Sequence, residues 1–410
     1  MTLPATNPRP MDGVRVLDIA TFIAAPMAAS IMGEFGADVI KIEQPSKDGQ
    51  AGGDPWRRYG TASKREDSSL AWLTEARNKR SITLNLRAPE GAEIFKRLVA
   101  EADVVTENFR PGTLAKWGLG YDVLAEINPR LVMLSVSGYG QTGPYKDRPG
   151  FARIAHAFGG LTHLAGMPGG PPVTPGSTSL GDYMTGMYGA IGVLMALRER
   201  DKSGLGQTVD LALYESVFRA LDELVPAYAA TGYVRGREGI GTANACPHGH
   251  FECGDGRWVA IACTNDKMFV RLSKAMQQPD LASAAQYGRV ANRLAEREIV
   301  DGLVSDWTKS MDRDAIVDAC VASEVPIGAV NAIDEIFEDP HFKERGNLFT
   351  VDDPVTGPVT VPGVAPRLSR TPGRIDNLGP ALANANDAVY SGLLGLSADD
   401  IAALQEKGVI

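Results

Sequence analysis

The sequence is poor in cysteine. Its 410 residues include only four, Cys246, Cys253, Cys263 and Cys320. So few cysteines in so long a chain do not form a disulfide framework. This scarcity favours a reducing, cytoplasmic location.

Long apolar runs and positive charge are also scarce. The longest apolar stretch, Met184–Leu197, is bracketed by Asp182 and Arg198, and it is too short to span a bilayer. We expect a buried core helix there and no membrane partner. The formal net charge of −9 argues against nucleic acid as a bulk partner, because phosphate binding needs a positive surface. The opening letters MTLPATNPRPMDG lack a basic stretch followed by an apolar one, so we expect no secretory signal.

The first third of the chain alternates strand and helix patterns. Short apolar runs at Val14–Asp18, Ala37–Glu43, Arg80–Leu86 and Arg130–Val136 predict strands, and Pro89–Ala102 has apolar residues at helical spacing. Strands that alternate with helices indicate an α/β fold with a largely parallel sheet.

The length of the chain favours two domains. We predict a Rossmann-like large α/β domain that begins with residues 1–232 and returns at 326–410. A smaller α+β domain, residues 233–325, is inserted between the two parts. The glycine-rich segment 232–245 is the predicted linker, and Asn384–Leu394 and Ala398–Lys407 are predicted closing helices.

Asp182 stands at the start of an otherwise apolar helix, within the letters GDYMTG. One interpretation is an N-cap aspartate that accepts backbone N–H groups. The other is a covalent nucleophile toward an activated acyl group, kept ionised by the helix N-terminus. The two interpretations are compatible, because one carboxylate oxygen can cap while the other faces a cleft.

The run Gly138–Gly143, GYGQTG, has the spacing of a dinucleotide-binding fingerprint. That fingerprint needs a helix that starts within the glycines. The letters PYKDRP follow instead and predict an extended turn at the carboxyl end of a strand. We therefore do not expect NAD, although this edge of an α/β sheet is where ligands bind.

Three histidines and one arginine are weighed as site residues. The letters CPHGH, with His248 and His250, suggest a metal tract, but a catalytic zinc site needs three protein ligands. We expect the two histidines to lie on opposite faces of an extended segment and to share no metal. His156 is as readily a structural histidine, and Arg153 either clamps a substrate carboxylate or pairs with an acidic side chain.

Several long segments, in order, resemble the family III CoA-transferases. They are GVRVLDIATFIAAPMAASIMGEFGADVIKIEQP, NKRSITLNLRAPEG, ENFRPGTLAKWGLGYDVLAEINPRLV, SGYGQTGPY, GDYMTGMYGAIGVLMAL and GLGQTVDLALYESV. In that family the aspartate of the GD-x-x-T-G segment is the nucleophile, and Asp182 occupies this position. The resemblance implies an aspartyl-CoA thioester intermediate and no metal or NAD.

The same resemblance implies a cleft for CoA, which enters as an acyl-CoA substrate. Its residues are Ile23, Ala24, Gln44, Leu84, Asn85, Arg87, Asn108, Phe109, Arg110, Lys116 and Phe151. Formyl-CoA transferases tend to have glutamine where Ile23 stands and arginine where Gln44 stands. The CPHGH segment also occupies the region of their tetraglycine loop, so we do not expect oxalate or formate as substrates.

The family also includes α-methylacyl-CoA racemases, which have a histidine base where this chain has Phe151. Racemase or epimerase activity is therefore the alternative, and a non-catalytic CoA-binding protein is a third reading. The letters RPGFARIAHAFGG and CPHGHF look closest to the subgroup that transfers CoA from succinyl-CoA to malate or citramalate. The resemblance implies four- or five-carbon dicarboxylate acceptors, itaconate and mesaconate included, with Arg153, His156 and His248 as candidates for gripping the distal carboxylate. It also implies an interlocked homodimer, with a paralogous subunit as the other possibility.

Overall fold

The computed structural model describes residues 8–47 and 49–410. The first seven residues, which form part of the segment in which we expect no secretory signal, lie outside the described residues. The chain divides into two compact units. The first holds the described residues up to Leu161 together with Thr174–Pro226 and Lys343–Ile410. The second holds Thr162–Val173 and Ala227–Phe342, and so extends beyond the segment 233–325.

The strands of the described residues are short. They are β1 Arg15–Asp18, β2 Asp38–Glu43, β3 Lys79–Thr83, β4 Val104–Glu107, β5 Val132–Ser137, β6 Thr208–Ala212, β7 His248–Glu252, β8 Trp258–Ala262, β9 Ile327–Ala329, β10 Leu348–Asp353 and β11 Gly357–Pro362.

Helices connect most of the strands. They are α1 Ala24–Glu34, α2 Leu70–Glu75, α3 Pro89–Ala100, α4 Thr113–Lys116, α5 Tyr121–Ile127, α6 Ala152–Phe158, α7 Leu161–Leu164, α8 Leu180–Ser203, α9 Leu213–Arg219, α10 Leu224–Thr231, α11 Asp266–Ala275, α12 Val290–Ala295, α13 Arg297–Lys309, α14 Arg313–Ala322, α15 Ile333–Glu338, α16 Pro340–Glu344 and α17 Ala398–Glu406. Short 3₁₀ helices lie at Pro55–Arg58 and Pro279–Ala282, and a π-helix lies at Ala388–Leu393.

The first unit is built on a six-stranded sheet in the order β3-β2-β1-β4-β5-β6. Every neighbouring pair in it is parallel. The order reverses between β1 and β4, which makes the carboxyl ends of these two strands the topological switch point. This sheet confirms the predicted α/β fold and its Rossmann-like large domain.

Apolar layers cover both faces of the sheet, because successive side chains of a strand point to opposite sides. Val16 packs in one layer with α1 and α8, whereas Leu17 packs in the other with Phe95 of α3 and Tyr390 of the π-helix. Burial on both faces explains why these strands appear in the sequence as continuous apolar runs. The last helices of the chain return to complete one of these layers.

Some predicted elements differ from the structure. The strand expected over TVDLALY ends at Ala212, and α9 begins at the next residue, Leu213. The single helix expected over 215–231 is divided into α9 and α10. The hairpin β10–β11 was not expected, because its segment is rich in proline and glycine.

The second unit has its own three-stranded antiparallel sheet, in the order β7-β8-β9. Phe251 and Val259 of this sheet pack against Phe269 of α11 and Ile316 of α14. All four cysteines of the chain are buried in this unit and unpaired. Among the described residues, no helix combines the length and the apolar character that crossing a bilayer requires.

Candidate active site

A cavity of about 660 Å³ opens at the carboxyl ends of β1, β4 and β5 in the first unit. We call it the Asp182 cavity. Its lining residues are Thr21, Phe22, Ile23, Ala24, Trp56, Tyr59, Asn108, Phe109, Arg110, Pro111, Ser137, Gly138, Arg148, Pro149, Gly150, Phe151, Ala152, Arg153, Thr178, Ser179 and Asp182. It lies at the switch point of the sheet, where an open α/β sheet forms its binding crevice.

Asn108 joins the two strands at the switch point. Its side-chain oxygen accepts the N–H of Thr21 at 2.9 Å, and its side-chain nitrogen donates to the carbonyl of Thr21 at 2.7 Å. Thr21 follows β1 and Asn108 follows β4. The amide of Asn108 is therefore occupied by the protein backbone, and Asn108 shapes the wall of the cavity.

Asp182 is the third residue of α8, and Ser179 is the N-cap. The interpretation of Asp182 as an N-cap is therefore wrong. The amides of the first turn have other acceptors, because Asp182 N–H and Tyr183 N–H both donate to the carbonyl of Ser179. Gly181 N–H donates to Nε2 of His156 at 2.8 Å. None of these N–H groups is left to bind the Asp182 carboxylate.

Burial without hydrogen bonds changes the acidity of Asp182. Among the described residues, no donor binds its carboxylate, and burial raises its pKa to about 7. Asp182 is therefore only partly ionised near neutral pH, in contrast to the expectation that the helix N-terminus keeps it ionised. A carboxylate that accepts few hydrogen bonds is a stronger nucleophile whenever it is ionised.

The small residues of α8 fix the position of Asp182. A Cβ at Gly186 would lie 2.6 Å from the Cβ of Met27, and one at Gly189 would lie 2.9 Å from Cδ2 of Leu134. Glycine at these positions lets α8 approach α1 and the sheet. Asp182 thus stands at the end of a helix that is packed closely along its inner side.

The Asp182 cavity carries an excess of positive charge. Arg110, Arg148 and Arg153 line it and are exposed. Within the described part of the chain none of them pairs with a carboxylate, and Arg148 stacks over the ring of Tyr145 at 3.6 Å. Asp182 is the one acidic residue among the lining residues. Arg148 was missed from the sequence, and its place in the extended turn after β5 is the signal that could have found it.

Aromatic rings form the other wall of the cavity. Phe22 packs edge-on against Trp56 at 6.4 Å and against Phe151 at 6.1 Å, and Trp56 stacks on Tyr59 at 4.4 Å between ring centroids. Phe22 has a φ of 64°, which is costly for a bulky residue. Phe151, which also lines the cavity, is 66% exposed.

A buried ion cluster holds the backbone that carries Phe22. Lys41 Nζ lies 3.0 Å from Asp54 Oδ2 and 3.5 Å from Asp18 Oδ2, and Lys79 Nζ lies 2.8 Å from Asp18 Oδ2. Lys41 also donates to the carbonyl of Ala20, and Asp54 Oδ1 accepts the N–H of Phe22 at 3.1 Å. These contacts hold the loop after β1, which carries Phe22, in its position.

A second cavity, of about 250 Å³, shares Thr21 and Phe109 with the first. It is lined by Gln44, Leu84 and Arg87 among others. A wider groove of about 780 Å³ follows, shares Arg87 with the second cavity and is lined by Lys116.

Three cavities in series thus contain most of the residues expected to bind CoA. Arg87 and Lys116 are exposed, and no carboxylate among the described residues pairs with them. Arg87 instead lies over the ring of Trp117 at 5.7 Å. Arg87 and Lys116, which the resemblance implies as CoA-binding cations, thus lie along this edge of the sheet, and their binding of CoA stays a prediction.

Other predicted residues lie elsewhere. The side chain of Asn85 accepts the N–H of Arg87 at 3.2 Å, and Asn85 does not line any of the three cavities. His156 is buried under α8 and is not a lining residue of the Asp182 cavity. His248 lies in the second unit, on β7, and is half-buried.

The metal and dinucleotide motifs have plain structural explanations. His248 and His250 are two residues apart on β7, so they share a face, and the expectation of opposite faces was wrong. Within residues 8–47 and 49–410, no three histidine, cysteine, aspartate or glutamate side chains converge as ligands for a metal ion. The glycine run after β5 is a turn with positive φ at Gly140 and Gly143, and the next helix begins at Ala152. No helix starts within the glycines, as the sequence indicated.

Comparison with known proteins agrees with this geometry. The chain is 52% identical over 412 residues to the succinyl-CoA–L-malate CoA-transferase alpha subunit of Chloroflexus aurantiacus, covering 100% of this chain and 95% of that protein. It is 54% identical over 407 residues to the beta subunit from the same organism, covering 99% of each. The succinyl-CoA–D-citramalate CoA-transferase of that organism is 42% identical over 403 residues, covering 98% of each.

A solved structure gives the same answer for the fold. The crystal structure of a CAIB/BAIF family protein from Brucella suis matches with a TM-score of 0.82 and 34% identity, covering 95% of this chain and 100% of that one. The family described as CoA-transferase family III matches residues 11–386. The full-length matches and the parallel sheet with its cavity at the switch point agree, and the chain belongs to CoA-transferase family III.

Proposed function

We propose that this protein transfers CoA from succinyl-CoA to a four- or five-carbon dicarboxylate such as malate, citramalate, itaconate or mesaconate. The transfer passes through an aspartyl-CoA thioester on Asp182. The observation that carries the proposal is that one cavity holds both a half-buried carboxylate and three exposed arginines. Among the described residues, no donor binds this carboxylate and no carboxylate pairs with these arginines. The relatives named as malate and citramalate transferases support the substrate class.

The reaction begins when ionised Asp182 attacks the thioester carbonyl of succinyl-CoA. The C–S bond breaks, CoA leaves as a thiolate, and succinate remains joined to Asp182 as a mixed anhydride. The thiolate attacks the aspartyl carbonyl, which releases succinate and forms the aspartyl-CoA thioester. The acceptor carboxylate then attacks this thioester, and the thiolate leaves again. In the last step the thiolate attacks the acceptor carbonyl of the new anhydride and frees Asp182, so that no proton is gained or lost overall.

The arginines of the Asp182 cavity have a defined part in this sequence. Both the donor acyl group and the acceptor carry a second carboxylate, which needs a cation where water is displaced. Arg153 and Arg148 are available for it, since no described carboxylate occupies them. Arg87 and Lys116, in the neighbouring cavities, serve the phosphates of CoA.

The aromatic wall and the absence of donors at Asp182 serve the intermediates. Anhydrides and thioesters are both hydrolysed by water, so apolar rings beside the reacting carbonyl favour transfer over hydrolysis. Phe151 carries no proton-transfer group where racemases have a histidine. The racemase alternative therefore finds no support in this cavity.

We also propose that the chain forms a homodimer. Five large apolar side chains of α8 are 40 to 67% exposed: Met187, Tyr188, Ile191, Leu194 and Met195. Their spacing forms one stripe along the outer side of the helix. An apolar stripe of this kind marks an interface, and a second copy supplies a matching one by two-fold symmetry. The chain is nearly equally identical to an alpha and a beta subunit, so a complex with a paralogous subunit is the alternative. A mass measurement in solution distinguishes the two.

The predicted cytoplasmic location is kept as a proposal. Its support is chemical, since four free buried cysteines suit a reducing compartment.

The experiment that tests the function incubates the protein with succinyl-CoA and a panel of dicarboxylates, and follows new CoA esters by mass spectrometry. Hydroxylamine added during turnover converts either acyl intermediate into a hydroxamate, which peptide mapping then places on a residue. We expect the hydroxamate on Asp182, and no exchange in Asp182→Ala.

Asp201→Ala is the matched control, since Asp201 is an exposed aspartate at the far end of the same helix. It keeps full exchange. Near-native turnover in Asp182→Ala, or a hydroxamate on another residue, rejects the proposal.

A further inference from the structure

The buried imidazole of His156 lies directly beneath the peptide that precedes Asp182. His156 is 1% exposed, and its Nε2 accepts the N–H of Gly181 at 2.8 Å. This amide belongs to the first turn of α8, whose N–H groups have no partner within the helix. A capping side chain normally serves such a group, but the N-cap Ser179 makes no side-chain hydrogen bond.

The neighbouring glycine fits the imidazole closely. A Cβ at Gly181 would lie 3.0 Å from Nε2 of His156 and 3.4 Å from Cγ2 of Val217. The carbonyl of Gly181 is held as well, because the hydroxyl of Thr185 donates to it at 2.7 Å. The residue before Asp182 is therefore held at its amide by His156 and at its carbonyl by Thr185.

The hydrogen bond assigns the tautomer of His156. An Nε2 that accepts must be unprotonated, which leaves the proton on Nδ1. That Nδ1 is buried and finds no partner among the described residues. Burial and the positive charge of Arg153 lower the pKa of His156, and both effects preserve the neutral form that can accept.

We infer that His156 is a positioning residue, whose Nε2 replaces the missing N-cap side chain and fixes the first turn of α8 so that Asp182 faces the cavity. The inference rests on the proposed function for its catalytic consequence. From the sequence, His156 was a candidate for binding the distal carboxylate of the substrate. His156 does not line the Asp182 cavity, so the positioning role replaces that expectation.

Two amide variants separate this role from mere filling of space. The side-chain oxygen of His156→Gln reaches the place of Nε2, whereas that of His156→Asn is one methylene shorter and does not. We expect His156→Gln to keep a kcat close to that of the unmodified enzyme. His156→Asn should lose about 100-fold in kcat, with the KM for succinyl-CoA unchanged, because a small displacement of a reacting group costs about this much.

A second measurement reads the first turn without relying on activity. Amide hydrogen exchange over residues 179–186 should be faster in His156→Asn than in His156→Gln. The control His163→Asn changes the exposed histidine seven residues later in the chain and should leave exchange and kcat as they are.

The outcomes distinguish the two proposals. If the unmodified enzyme does not transfer CoA, the proposed function fails, and the exchange data alone then decide the role of His156. The positioning role is rejected if both variants keep the kcat and the slow amide exchange of the unmodified enzyme. It is also rejected if both variants lose them equally. A rise in KM with kcat retained would return His156 to substrate binding.

Discussion

The side-chain amide of Asn108 makes two hydrogen bonds to the backbone of Thr21, accepting at 2.9 Å and donating at 2.7 Å. It thereby joins the carboxyl ends of β1 and β4 where the strand order reverses. The reversal of strand order leaves a crevice between the carboxyl ends of these two strands. The side chain of Asn108 bridges it. The family resemblance implies that Asn108 binds CoA, whereas in the structure its side-chain amide holds the wall of the Asp182 cavity.

Asn108→Ala should lower the free energy of unfolding by about 2 kcal/mol, because two hydrogen bonds of about 1 kcal/mol each are lost. Urea unfolding measures the change. The control is Thr21→Ala, which keeps both bonds, since they involve only the backbone of Thr21. Equal stability of the two variants would contradict the assignment.

Activity should rise with pH to a plateau above about 7, because Asp182 attacks only when ionised and burial raises its pKa to about 7. The pH dependence of kcat measures the midpoint. Glu107 is the alternative origin, since burial raises its pKa to about 7 as well. Glu107→Gln should keep the midpoint. A profile that moves in Glu107→Gln would transfer the titration to that residue.

Asp182→Asn should be inactive and yet more stable than the unmodified protein at pH 8. A carboxyl group whose pKa is raised on folding favours the native state at low pH, and this advantage is lost as pH rises through the folded pKa. Above that pKa the native state carries a buried charge, which asparagine removes. Melting temperatures at pH 5 and pH 8 test this. The gain should be larger at pH 8, because the loss begins above the unfolded pKa and is complete only above the folded pKa of about 7. Equal melting temperatures at pH 8 would mean that the charge costs nothing.

Arg153→Gln and Arg148→Gln should weaken use of succinyl-CoA but not of butyryl-CoA, which lacks the second carboxylate. Loss of a hydrogen bond to a charged group is expected to raise the KM for succinyl-CoA about 10- to 100-fold. Arg345→Gln removes the same charge from an exposed residue that lines none of the three cavities. A parallel loss with both thioesters would point to a structural role for the arginines.

Asp18→Asn should destabilise the protein by about 3 to 5 kcal/mol, because it leaves Lys41 and Lys79 buried without their shared anion. The same change at Asp38, whose pairs with Arg15 and Arg80 are partly exposed, should cost about 0 to 1 kcal/mol. Chemical denaturation of the two variants gives the comparison. Similar losses at both positions would show that burial does not set the energy.

The sheet was predictable from sequence, because strands buried on both faces leave continuous apolar runs. Val14–Asp18 and Ala37–Glu43 were placed within a residue of β1 and β2. The hairpin β10–β11 was not predictable in this way. Its strands are partly exposed and rich in proline and glycine, and its pairing depends on tertiary contacts.

The candidate site was predictable where a residue type fixes its own chemistry. Asp182 was singled out by its position at the start of an apolar helix, whereas Arg87 and Lys116 were expected from the family resemblance. The acidity of Asp182 could not be predicted, because it depends on which acceptors occupy the neighbouring amides. The hydrogen bond of His156 to Gly181 joins residues 25 apart in the chain, and no local pattern encodes it.

The helix α8 packs closely against Met27 and Leu134. The two proposed tasks of the site, the covalent chemistry and the recognition of the acid, thus lie on different segments of the chain. The proposed nucleophile, Asp182, belongs to α8, whereas Arg148 and Arg153, the proposed partners of the distal carboxylate, belong to the segment 138–153. Substitutions in the segment 138–153 can thus change which acid is preferred, while the covalent chemistry on α8 stays the same. Grafting this segment between relatives should carry over the choice of acid and leave the covalent chemistry intact.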